Sequence, residues 1–214
     1  LEFLWVFPRQ SGKDEAIAQL EAYLLALLQR RGGNIIHVYP TTPQIALGLV
    51  RLEERLENPL TGGRWRAAAK PTRRRLGQAS CTFFSAHPAS RAEGATAQPL
   101  LIINESQDAS GLIIDRRFNP MRAANNATCL YVGTVRTNAD FLWQVKTRLE
   151  KLQAEDGRRR VFIISAEAVG RENPAYAIFV NNQVKLLGRQ HPLVKSEYFN
   201  EPFEAAAGLF PERR

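Results

Sequence analysis

The stretch "FLWVFPRQSGKDEAIAQL" (residues 3–20) runs from an apolar, aromatic-rich segment through Pro8, Gly12 and Lys13 directly into residues of high helix propensity. A strand, a glycine turn and a helix start in that order form a phosphate-binding loop when backbone N–H groups and a lysine face phosphate oxygens. The match to G-x-x-x-x-G-K-[ST] is incomplete, with Phe7 at the first glycine position and Asp14 at the closing Ser/Thr position. Taken alone, the stretch reads as readily as a tight strand-to-helix turn, so the rest of the chain decides.

With 214 residues and 44% hydrophobic content, the chain is long enough for one sizeable core and is read as one domain over residues 1–214. Lys and Arg number 29 against 21 Asp and Glu, a formal net charge of +8, which points to a polyanionic partner such as nucleic acid. The basic residues cluster at Arg30-Arg31, Arg64-Trp65-Arg66, Arg73-Arg74-Arg75, Arg158-Arg159-Arg160 and Arg213-Arg214. Cys81 and Cys129 lie inside apolar runs and read as small buried hydrophobes in a reducing compartment. No apolar run approaches the roughly 20 residues that span a bilayer and no cleavable leader is visible, so a cytosolic protein is expected. His37, His87 and His191 lack the spacing of a metal cage and read as ordinary histidines.

Apolar residues at Ile17, Leu20, Leu24, Leu27 and Leu28 predict a helix over 14–31, ending at Gly32-Gly33, and Ile35 to Tyr39 predicts a buried strand. Pro43 begins a second helix with an apolar face of Ile45, Leu49, Leu52 and Leu56. Residues 57–72 read as a loop, and "RRRLGQASCTFFSA" as a hairpin of Arg73 to Leu76 and Ser80 to Ser85. Leu100 to Ile103 is a continuous apolar run, as in a central parallel strand covered on both faces. A helical stretch near 111–124, a strand over Cys129 to Val132, a helix from Phe141 to Leu152, a strand over Val161 to Ile164 and helices over Pro174 to Leu187 and Leu193 to Phe199 follow. This alternation predicts a three-layer α/β fold with a mostly parallel central sheet, an inserted β-hairpin, and sites at the carboxyl ends of the strands.

Three strand ends carry polar residues: Arg9 to Lys13, Asn104-Glu105 and Gly133-Thr134. Phosphate binding, orientation of an attacking water and sensing of the γ-phosphate need groups of these kinds. The segments "PRQSGKDE", "LLIINESQD" and "LYVGTVRTNADFLWQVKTRL" resemble the Walker A, Walker B and coupling motifs of phage terminase large subunits, the motors that drive DNA into procapsids. The resemblance extends to "RLGQASCTFFSAHP" and "HPLVKSEYFNEPFEAAAGLFPERR" and so covers nearly the whole chain, but only the ATPase half of a terminase. The adenine-contacting segment before Walker A and the RNase H-like nuclease domain after it are expected to be missing from this fragment.

The resemblance implies an additional-strand, RecA-like P-loop ATPase with ATP and Mg²⁺ as its cofactors. It makes Arg9, Gln10, Ser11, Gly12, Lys13 and Asp14 the nucleotide loop, Lys13 the phosphate lysine, Glu105 the catalytic carboxylate, Thr134 the coupling residue and Arg9 a γ-phosphate sensor. It implies double-stranded DNA, a portal ring, a small terminase subunit and sister subunits in a ring as partners. Three departures stand against the family pattern. Asp14 replaces the Ser/Thr that binds Mg²⁺, and Asn104 replaces the Walker B aspartate. The two changes read either as a compensated pair of Mg²⁺ ligands or as a helix-start aspartate beside a decayed site. In "ASRAEGATAQ", Glu93 precedes Gly94 where terminases carry Arg-Gly, leaving Arg91 as a substitute trans-acting arginine finger. A helicase-like half-motor, from the likeness of "NESQD" to D-E-x-Q-D, and a catalytically silent nucleotide- or DNA-binding module of a degraded prophage remain as alternatives.

Overall fold

The computed structural model of the chain describes residues 1–68, 72–90, 92 and 94–204. Its strands are β1 (Glu2–Val6), β2 (Gly33–Tyr39), β3 (Trp65–Ala67), β4 (Arg73–Leu76), β5 (Ala79–Ser85), β6 (Leu100–Ile103), β7 (Thr128–Gly133) and β8 (Val161–Ile163). They form one sheet in the order β3-β4-β5-β2-β6-β7-β1-β8. The helices are α1 (Lys13–Leu28), α2 (Thr42–Leu56), α3 (Gly111–Ile113), α4 (Phe141–Asp156), α5 (Ala166–Glu172), α6 (Pro174–Leu187) and α7 (Pro192–Phe199). By internal contacts the chain divides into two compact units, one of Leu1, Gly12–Asn104 and Ala109–Leu130, the other of Glu2–Ser11, Glu105–Asp108 and Tyr131–Arg214.

In the first unit β2 pairs in parallel with both β5 and β6. All four residues of β6 are buried apolar side chains, each contributing about 1.5–3 kcal/mol by leaving water. Residues facing α1 and α2 include Cys81 and Phe83 of β5. The expected hairpin is present, but it lies in the plane of the sheet: β5 runs parallel to β2 over seven residue pairs and antiparallel to β4. The segment 57–72, read as a loop, contains β3, which pairs antiparallel with β4. Three residues, one of them arginine, carry too little periodicity to announce a strand without the partner that supplies its hydrogen bonds.

The helical stretch expected near 111–124 is a chain of short turns. The single turn of α3 passes into a wider π turn at Ile114–Phe118 and a 3₁₀ turn at Asn119–Asn125. Pro120 has no N–H to continue an α-helix there. The first-unit helix α2 begins with Pro43 in its first turn and Gln44 Oε1 accepting from the Thr41 N–H at 3.1 Å.

A buried polar cluster sits in this unit. His37 Nδ1 lies 2.6 Å from Glu21 Oε1, each side chain 1% exposed, and the Cys81 thiol donates to the same oxygen at 3.4 Å. Burial, with the Glu21 charge added, pushes the Cys81 thiol up, so it remains a donor. The His37 ring stacks on Tyr39 with centroids 4.4 Å apart.

In the second unit β1 pairs in parallel with β8. Asp140 caps α4 by accepting from Trp143 N at 2.8 Å, and Ser165 caps α5 by accepting from Ala168 N at 3.1 Å. Helix α5, seven residues with a glycine, was not expected from sequence. Ala166, Tyr176, Val180, Val194 and Tyr198 pack α5, α6 and α7 into a cluster. Both cysteines are buried and unbridged, and among the described residues no helix is long and apolar enough to cross a membrane.

Leaving a buried donor without its acceptor costs about 1–3 kcal/mol. Glu21→Ala removes the acceptor shared by His37 and the Cys81 thiol and is therefore expected to lower unfolding free energy by at least about that much, and Glu21→Gln, which keeps an acceptor, by clearly less. Urea unfolding followed by tryptophan fluorescence checks it, and small, equal losses would contradict the role given to the cluster.

Candidate functional site

The loop after β1 carries two left-handed residues, Gln10 at φ 59° and Gly12 at φ 90°. An added Cβ at Gly12 would meet nothing within 4 Å, so glycine is required there for its backbone angle and leaves the approach to the helix start open. Gly12 is the N-cap of α1 and supplies no side-chain cap. The first intrahelical bond runs from Ala16 N to Gly12 O at 3.0 Å, so the first-turn N–H groups have no acceptor within the helix, the arrangement found at anion-binding helix starts. Lys13 is the first helical residue, and Ser11 Oγ turns back to donate to Pro8 O at 2.6 Å.

Asp14 and Asn104 meet within the first unit. Asn104 Nδ2 donates to Asp14 Oδ1 at 3.0 Å, and the Asn104 side chain is fully buried at the end of β6. Its backbone N–H donates to Val38 O at 2.9 Å. The Tyr39 side chain also hydrogen-bonds Asn104. Burial above all, then the charges of Glu21 and Asp14, holds the Tyr39 phenol far above its ordinary pKa, so it remains a neutral partner. Residues 14 and 104 are thus joined by one hydrogen bond with one negative charge, the amide as donor and the carboxylate as acceptor.

The second unit holds the other candidates. Glu105 takes φ 49°, a left-handed turn that ends the strand. Gln107 Nε2 donates to Glu105 Oε2 at 2.5 Å, and Gln107 Oε1 accepts from Thr134 N at 3.2 Å. One glutamine amide therefore ties the carboxylate to the segment after β7. Gly133 makes this possible, since a Cβ there would lie 2.2 Å from Gln107 Oε1. Gln107 was not among the residues singled out from sequence, although it lies inside "NESQD".

Arg9, expected as a γ-phosphate sensor, lies in an ion pair with Glu197 of α7, Nη1 to Oε1 at 2.6 Å, with its side chain 56% exposed. Arg9 N donates to Glu197 O, and Arg9 O accepts from the Tyr176 hydroxyl at 3.1 Å. Burial, with the Tyr198 phenol added, pushes the Tyr176 phenol up to about 12. Arg91 and Glu93, and with them the arginine-finger expectation, lie outside the described residues, as do Arg213-Arg214.

Of the cluster Arg158-Arg159-Arg160, only Arg160 is drawn into the fold, while Arg158 and Arg159 are exposed. Arg160 is 9% exposed and paired with Asp156, and Arg159 lies over the Phe162 ring at 4.6 Å. Arg64 bonds Leu60 O and Gln29 Oε1, and Arg74 pairs with Glu53 at 2.5 Å.

No family model matches the chain, and no curated protein matches it in sequence. Solved structures do. The ATPase domain of the Thermus phage P74-26 large terminase superposes with a TM-score of 0.73 at 16% identity, covering 94% of this chain and 88% of that one. The fold is that of a large-terminase ATPase domain. The HK97 bacteriophage large terminase matches with a TM-score of 0.62 at 15% identity over 77% of this chain and 35% of its own. A large terminase from a thermophilic bacteriophage, solved in complex with ATP-γ-S, matches with a TM-score of 0.66 at 8% identity over 92% of this chain and 46% of its own.

Residues that share a hydrogen bond couple by roughly 0.5–3 kcal/mol in a double-mutant cycle, whereas independent sites add within about 0.5. Asp14→Ala and Asn104→Ala are expected to couple in the unliganded protein, as read from urea unfolding of the four variants. Additivity would separate the two residues.

Proposed function

We propose that the chain is the ATP-hydrolysing motor domain of a terminase-like large subunit that drives double-stranded DNA packaging. The observation that carries the reading is the Gln107 bridge from the Glu105 carboxylate to Thr134 N. Such a bridge gives a hydrolytic carboxylate a mechanical link to the next strand end, which a tight structural turn has no need of.

In this reading, residues 9–14 form the nucleotide loop. The uncapped N–H groups of α1 and the Lys13 ammonium hold the phosphates. Glu105 orients the attacking water, and a rotation of its carboxylate is passed by Gln107 to Thr134. Among the described residues no group of three or more His, Cys, Asp or Glu side chains is placed to hold a metal ion by itself. The Asp14 carboxylate fits a Mg²⁺ ion that draws its remaining ligands from phosphate and water. A Mg²⁺ held by Asp14 would supply charge neutralisation at the phosphoryl group. Asn104 serves by holding Asp14 in place.

Exchange, rather than decay, is supported at these two positions. A Ser/Thr hydroxyl facing an aspartate and an aspartate facing an asparagine amide each provide one donor, one acceptor and one negative charge. The portal ring, the small terminase subunit and sister subunits in a ring follow from the same reading as partners, in a host cytoplasm.

Titration with a fluorescent ATP analogue tests the loop: Lys13→Ala is expected to abolish binding in a folded protein, and undiminished affinity would remove the assignment. Glu105→Gln is expected to keep binding while slowing hydrolysis by about two to four orders of magnitude. Gln107→Ala should slow turnover without weakening binding, because it touches the carboxylate and not the phosphates. Equal loss of binding and turnover in both variants would contradict the division of roles.

A further inference from the structure

Alternation along β4 separates Arg73-Arg74-Arg75 into two roles. Arg74 is buried against Glu53 of α2, so Arg73 and Arg75 stand on the opposite face of the sheet. The antiparallel register sets Arg66 of β3 directly opposite Arg75, on that same face. Like charges in directly opposed positions are destabilising. Among the described residues neither Arg66 nor Arg75 has a hydrogen-bond or ion-pair partner to relieve this, whereas Arg73 Nε bonds Thr82 Oγ1 at 2.9 Å. Beside them opens a cleft of about 400 Å³, lined among others by Asn34, Arg73, Arg75, Gln78, Ser80 and Asn125.

The cleft lies at the amino-terminal ends of β2 and β5, since Gly33, Asn34 and Ser80 are among its residues. Asn104 follows the carboxyl end of β6, which runs parallel to β2. Seven residues of strand separate two such ends by about 20 Å, so the cleft is a separate place from the Asp14–Asn104 pair. None of its lining residues carries a carboxylate or an aromatic ring. Guanidinium, amide and hydroxyl donors without carboxylates are the groups that contact phosphate and sugar oxygens. The lack of rings removes the stacking platforms on which single strands are held.

We propose that Arg66, Arg73 and Arg75, with the cleft beside them, form a docking surface for the phosphate backbone of duplex DNA. The proposal rests on the motor-domain reading for the choice of DNA as the polyanion; the surface itself is independent of the nucleotide loop. Recognition here is of backbone charge and spacing and carries no base preference.

The test is fluorescence anisotropy of a labelled DNA duplex over a salt series, with ATP-analogue titration of the same proteins. The double variant Arg66→Gln, Arg75→Gln is expected to bind nucleotide as before and to lower the slope of log affinity against log salt by roughly 2. The matched pair Arg158→Gln, Arg171→Gln, which removes the same charge from exposed positions elsewhere, is expected to leave the slope unchanged. A single strand of equal length should bind more weakly than the duplex. An unchanged slope in the first variant, equal losses in both, or no duplex binding by a chain that binds nucleotide would overturn the proposal and leave the loop assignment standing. A first variant that binds duplex as before but self-associates would assign these arginines to protecting the sheet edge. Failure of the unmutated chain to bind nucleotide or duplex would overturn the motor-domain reading and this proposal together.

Discussion

The hydrogen bond from the buried Asn104 amide to the Asp14 carboxylate is the constraint on which the first unit's chemistry depends. A hydrogen bond to a charged group contributes about 1.5–3 kcal/mol, and leaving a buried amide unsatisfied costs about 1–3. Asn104 is fully buried and held at its backbone by Val38 and at its side chain by Tyr39. Tyr39 in turn stacks on His37, which Glu21 of α1 anchors. The position of Asp14 is thus set by a chain of contacts reaching into the core, and the first turn of α1 inherits that rigidity.

The second unit uses a neutral amide in a different way. Gln107 offers one donor and one acceptor and uses both, one on the Glu105 carboxylate and one on the backbone after β7. A charged residue in its place would either repel Glu105 or bind it too tightly to let go. Gly133 supplies the room, and the left-handed Glu105 turns the chain as β6 ends. Arg9 belongs to the same unit, its backbone held by Glu197 O and the Tyr176 hydroxyl and its guanidinium paired with the Glu197 carboxylate.

What the sequence made legible is local. The strand-turn-helix of residues 3–20 could be read because its glycine, lysine and helix formers are consecutive, and β6 because four apolar residues end abruptly in Asn104-Glu105. The Asp14–Asn104 pairing was legible as two linked departures, although the amide's part as donor needed geometry. What escaped depends on partners far along the chain. Strand β3 is three residues that become a strand only beside β4. Gln107 looks like any polar residue until Thr134, 27 positions on, is placed against it. Glu197 is 188 positions from Arg9. The triple arginines read alike in sequence, yet one is buried in an ion pair at β4 while another is packed away before β8, because strand alternation and nearby carboxylates, not composition, decide which guanidinium faces water.

The central claim is that an aspartate and an asparagine have exchanged the usual roles of two positions without loss of a nucleotide site. A crystal structure of the chain with Mg²⁺ and ATP-γ-S tests it most directly. The account predicts the triphosphate at the N-terminus of α1, the cation in contact with the Asp14 carboxylate, and Asn104 still donating to Asp14. A triphosphate bound elsewhere, or a cation held without Asp14, would contradict it.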